Sequence, residues 1–255
     1  MIDLSFARVV LAVAPVVAGC LMVSQASAAD ELVWFGTYTR GTESKGIYVA
    51  RFDTETGKLG EPMLAGEVAN PSFLARHPSR PLLYCVSEIS DLDGKRTGGL
   101  TALSIDLPSG SLQTINEQPS LGGGPCQVSV DPSGRCVVAA NYGGGSTVCM
   151  AIRDDGGLDP AVEGVPGGFI QHEGSSVNEQ RQQGPHAHCA RTSPDGRFVL
   201  VPDLGIDLVL VHALDADKAT IEPKSGGVVP AGSGPRHVAF TADGSRAYVI
   251  NELAL

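Results

Sequence analysis

Gly234-Pro-Arg-His-Val-Ala-Phe-Thr-Ala-Asp-Gly-Ser-Arg-Ala-Tyr-Val-Ile-Asn-Glu252 joins two short apolar segments, His237 to Thr241 and Arg246 to Ile250, through an Ala-Asp-Gly turn. A stretch of this kind predicts a β-hairpin. Arg236 and Glu252 each lie eight positions from Gly244, so antiparallel pairing brings them to one rim of the sheet, roughly opposite one another.

Working outward, the same unit recurs. Aligned on the turn position, Pro71 to Glu88 turns at Arg80, Pro125 to Tyr142 at Gly134, and Ala187 to Leu204 at Gly196, so successive turns lie 54, 62 and 48 residues apart. Further short strands fall between the hairpins, among them Gly46–Asp53, Leu100–Asp106 and Leu208–Asp215. Two inner strands plus an outer pair make a four-stranded blade, and a self-similar β unit at this period is the signature of a β-propeller. The longest insertion, Gly156 to Gln183, is rich in Gly and polar residues and predicts a loop over one face.

Composition agrees with this. The 255 residues include 32 Gly and 17 Pro, which favour short strands and turns over long helices, so the expected class is all-β. The net charge of -10 argues against nucleic acid as a partner, because phosphate binding needs a clustered basic surface.

The apolar run Val9–Val23 is too short for a membrane span, and it leads into Ala26-Ser27-Ala28. Residues 1–28 therefore read as a secretory signal peptide, which leaves 29–255 as the mature propeller domain and an exported protein, periplasmic or extracellular. A rival reading takes Val17-Ala18-Gly19-Cys20 as a lipoprotein box with a lipid anchor on Cys20. If Cys20 leaves with the signal, five cysteines remain; their spacing fits no zinc site, and they read mostly as small buried strand residues, with room for one disulfide in an exported protein.

Gly184-Pro-His-Ala-His188, the segment from Ser193 to Gly205, Gly234-Pro-Arg-His237 and Tyr248-Val-Ile-Asn-Glu-Leu253 together resemble the seven-bladed β-propeller lactonases, as do Phe35-Gly-Thr-Tyr-Thr39 and Gly46-Ile-Tyr-Val49. That family includes the propeller type of 6-phosphogluconolactonase and a carboxy-cis,cis-muconate cyclase. The resemblance implies an incomplete propeller here, with about four to five of the seven blades present and the missing blades expected from the natural full-length chain. It also implies a central polar site of His188, Arg236 and Glu252. His186, His237 and Asn251, which flank them, are candidate substrate-binding residues. A further arginine, contributed by a later blade in the family, falls beyond this sequence.

The repeat register singles out the same positions independently. His188 and Arg236 stand eight before the turn, where the other units carry Ser72 and Cys126, and Glu88 and Glu252 stand eight after it, where the others carry Tyr142 and Leu204. Ionisable departures within a repeat, all on one rim, point to a site. Lactone hydrolysis needs an electrophile for the carbonyl oxygen, here Arg236, and a base for water, for which His188 and Glu252 both qualify. If Arg236 and Glu252 pair, the carboxylate acts more as an orienter than as a base; the pair also reads as a rim salt bridge. His186 and His188 share the spacing of a metal pair but no third ligand is identifiable, so neither metal nor cofactor is expected. His77, His172 and His212, and His237 taken alone, read as structural or surface residues.

The expected function is a lactone hydrolase resembling 6-phosphogluconolactonase, with a small sugar lactone as its partner. One observation weighs against a phosphorylated substrate: such lactones are intracellular, whereas residues 1–28 predict export. The alternatives are a muconate cyclase-type, lactone-forming enzyme and a non-catalytic exported propeller that only binds.

Overall fold

A computed structural model describes residues 30–161 and 167–254. The segments read as a signal peptide and as a Cys20 lipid anchor both lie outside these residues. No helix among the described residues is long and apolar enough to cross a membrane.

The described residues form five antiparallel sheets in sequence order. The first holds β1 (Asp30–Phe35), β2 (Gly46–Asp53), β3 (Lys58–Leu59) and β4 (Met63–Glu67), with β3 and β4 both pairing with β2. The second runs β5 (Leu74–Arg76), β6 (Leu82–Ser87), β7 (Gly99–Ile105) and β8 (Leu112–Pro119). The third is β9 (Pro125–Val130), β10 (Cys136–Asn141), β11 (Ser146–Ala151) and β12 (Phe169–Gln171). The fourth is β13 (Arg191–Thr192), β14 (Phe198–Asp203), β15 (Leu208–Asp215) and β16 (Thr220–Val228), and the fifth is the hairpin of β17 (Pro235–Phe240) and β18 (Ala247–Asn251). Four sheets of four strands and one of two are the incomplete propeller that the repeat predicts. The long insertion is not wholly a loop: Phe169–Gln171 pairs with β11 and completes the third blade.

Sheets pack face to face, which explains why their strands are apolar on both faces. Leu82, Tyr84 and Val86 of β6 meet Val128, Val137 and Ala139 of the next blade. Leu83 and Cys85, pointing the opposite way, meet Ile47 of the preceding one. The second face of β10, through Val138 and Ala140, packs on Val199 and Val201 of the fourth sheet. Each innermost strand has an unpaired edge, and neighbouring blades satisfy part of it with side chains. Gln127 Oε1 accepts the Ala190 N–H at 2.7 Å, and Ser129 Oγ donates to the Ala190 carbonyl at 2.6 Å. The five cysteines among the described residues are free thiols, four of them buried.

Candidate active site

The inner hairpins place their open ends around one cavity of about 410 Å³. Its walls include Ser72, Cys126, His188 and Arg236, the whole set of residues eight before the turn, together with Glu88, Tyr142 and Glu252 from the set eight after it. Leu204, the remaining member, is fully buried and does not line the cavity. Tyr38, Phe73, Arg181 and His237 complete the lining.

Local backbone geometry aims these side chains. In the last hairpin Pro235 pairs with Asn251 and His237 with Ile250, so Arg236 is the extra residue of a β-bulge. The same irregularity falls at Cys126, between the pairs Pro125–Asn141 and Gln127–Ala140. A bulge breaks strict alternation and re-aims one side chain, here toward the cavity. Gly234, which opens the hairpin, has φ of 61°, and a Cβ there would lie 2.6 Å from Leu253. Glycine is therefore required at that step.

Arg236 Nε donates to Glu252 Oε2 at 2.8 Å, and Arg181 donates to Glu252 Oε1 at 2.6 Å and to the Tyr142 hydroxyl at 3.2 Å. Both carboxylate oxygens of Glu252 are thus engaged by guanidinium groups. Burial alone would raise the Glu252 pKa, but the hydrogen bonds from Arg181 and Arg236 hold it below the usual carboxylate range. This side chain is an anion that fixes two arginines and a poor acceptor of a proton.

His188 is lowered to about 4, first by burial and then by the positive charge of Arg236. It is neutral at pH 7. Its Nδ1 lies 3.8 Å from Cys126 Sγ. Burial pushes the Cys126 thiol upward, so it stays protonated. His237 stands 5.3 Å from His188, ring centre to ring centre, and is likewise lowered by burial and by Arg236.

Two residues expected beside the substrate do not line the cavity. His186 stacks on Tyr142 at 4.6 Å and bonds the Tyr142 carbonyl through Nδ1 at 3.0 Å, so it supports the wall from behind. His188 meets the same Tyr142 ring edge-on at 5.4 Å, so the two histidines do not present a common face. Asn251 has a buried Oδ1 without a hydrogen-bond partner among the described residues. Among the described residues no group of three or more His, Cys, Asp or Glu side chains is arranged to hold a metal ion.

Arg181 carries no repeat signal in the sequence, because it lies in the long insertion. Two buried acids anchor that insertion. Asp203 Oδ2 bonds His172 Nδ1 at 2.7 Å, while its Oδ1 accepts the His186 and Gly205 N–H groups. Asp207 accepts from Ser176 Oγ at 2.5 Å and from the N–H groups of Gly232 and Gly234, both at 2.7 Å. The insertion, the His186–His188 segment and the last hairpin are therefore locked to one another.

Residues 32–255 match the family described as Lactonase, 7-bladed beta-propeller. The sequence is 38% identical over 221 residues to a 6-phosphogluconolactonase of Bacillus subtilis, covering 87% of this chain and 59% of that protein. It is 30% identical over 225 residues to a 6-phosphogluconolactonase of Formosa agariphila, covering 87% of this chain and 62% of that one. The solved structure of a periplasmic gluconolactonase from Pseudomonas aeruginosa aligns with a TM-score of 0.77 and 35% identity, over 87% of this chain and 61% of that one. The chain spans about three fifths of the length of these relatives.

Proposed function

The chain belongs to the seven-bladed β-propeller lactonase family, and from that premise we propose that it hydrolyses a sugar lactone with water. The observation that carries this reading is the meeting of a neutral His188 and a carboxylate-held Arg236 in one cavity. Arg236 spends its Nε on Glu252 and keeps its terminal N–H groups for the lactone carbonyl. As water adds, negative charge grows on that oxygen, and a pre-aligned guanidinium stabilises it without reorganising. Glu252 is the orienter, and Arg181 fixes it from the other side.

The unprotonated ring nitrogen of neutral His188 takes the proton of the attacking water. The tetrahedral intermediate then collapses, the ring C–O bond breaks, and the imidazolium returns its proton to the departing alkoxide, giving the open hydroxy acid. A low imidazole pKa suits the second half of this cycle, because the imidazolium gives up its proton readily. Export of the protein is part of the same reading. It rests on the leader-like residues 1–28 and on the periplasmic location named for the Pseudomonas relative. The reaction is tested by following proton release from δ-gluconolactone and from its 6-phosphate at constant pH. Acceleration of either above spontaneous hydrolysis supports it, and absence of any excess rate with both refutes it.

A further inference from the structure

The cavity contains a second carboxylate, Glu88, whose surroundings differ from those of Glu252. Glu88 follows β6 at the position eight after the turn, and its Oε2 accepts the Tyr38 hydroxyl at 2.8 Å and the Ser72 hydroxyl in a short contact. No lysine or arginine pairs with it among the described residues, and its Oε1 has no hydrogen-bond partner there. Glu252, in contrast, has both oxygens taken by arginines. Glu88 is thus the one carboxylate lining this cavity with an open acceptor among the described residues. Two neutral hydroxyls hold its other oxygen in place without cancelling its charge.

An uncompensated carboxylate with one free oxygen selects for O–H donors, since such charge-assisted bonds are shorter and stronger than neutral ones. It selects against a second anion, because like charges brought together in a partly desolvated cavity repel. Resting on the lactone-hydrolase reading, we infer that Glu88 is a specificity-determining residue: its Oε1 receives hydroxyl groups of an uncharged, polyhydroxylated lactone and disfavours lactones that carry a phosphate monoester.

The test is calorimetric titration of the full chain with D-glucono-δ-lactam, an analogue that resists ring opening, and with its 6-phosphate. The wild-type chain is expected to bind the uncharged lactam at least tenfold more tightly. Glu88→Gln, which keeps the shape and removes the charge, is expected to reduce that preference at least tenfold, whereas Glu88→Asp is expected to retain it. An unchanged preference in Glu88→Gln, or tighter binding of the phosphate by the wild type, overturns the inference. Should Glu88→Gln fail to fold, Tyr38→Phe with Ser72→Ala, which releases the carboxylate, must weaken lactam binding at least fivefold, and no change overturns the inference equally. Lactone turnover is measured separately. A chain with Glu88-dependent selectivity and no turnover refutes the hydrolase reading alone; equal turnover of both lactones, unaltered in Glu88→Gln, refutes the role of Glu88 alone.

Discussion

Arg236 Nε donates to Glu252 Oε2 at 2.8 Å across the open end of the last hairpin, sixteen residues apart in sequence. The pair is a rim salt bridge in form, but it lines the cavity and carries a second guanidinium on Glu252, and in the proposed reaction it aligns Arg236. Arg181→Ala is accordingly expected to lower kcat/KM by about tenfold, less than a direct loss of the electrophile, because partly exposed ion pairs contribute modestly. It is also expected to raise the Glu252 pKa toward the ordinary carboxylate value, which carbon-detected NMR titration of the side chain measures.

Burial and the charge of Arg236 lower the His188 pKa to about 4. The acid limb of kcat/KM should therefore fall near pH 4 and not near the ordinary imidazole value, and NMR titration of the ring should give the same midpoint. The stability effect has a definite sign. The unfolded chain protonates this histidine at about 6.5 and the folded chain does so only near 4, so stability from this group is lost as pH falls through that window and levels off below it. Glu252→Gln, by removing a nearby negative charge, should push the His188 midpoint lower still.

Asp203 is fully buried and its two oxygens serve His172 and the N–H groups of His186 and Gly205. Asp203→Ala strips a partner from three donors at once, two of them on buried residues. It should destabilise the fold by about 3 kcal/mol or more, read from the shift in urea midpoint. His172→Phe, which removes only one of these contacts, should cost less.

The positions that line the cavity were legible because the propeller repeats. Counting eight before and eight after each turn finds Ser72, Cys126, His188, Arg236, Glu88, Tyr142 and Glu252 without any structure, since equivalent strand ends of equivalent blades must face one axis. What counting could not reach is set by local departures from the repeat. The bulge that turns Arg236 inward leaves no mark in the residue types, and His186 and His188 precede β13 outside any strand, so strand alternation does not put them on a common face. Arg181 reaches Glu252 from an irregular insertion whose path depends on Asp203 and Asp207, far along the chain. Asn251 sits next to Glu252 in sequence, but it pairs with Pro235 and its Oδ1 is buried away from the cavity lining.

The central claim is that Arg236 supplies the electrophile for a lactone carbonyl, and kcat/KM of Arg236→Ala against wild type for δ-gluconolactone, by proton release at constant pH, tests it most directly. A loss of about 100- to 1000-fold, with the urea midpoint unchanged, is the predicted result. Equal kcat/KM in the two proteins contradicts the account.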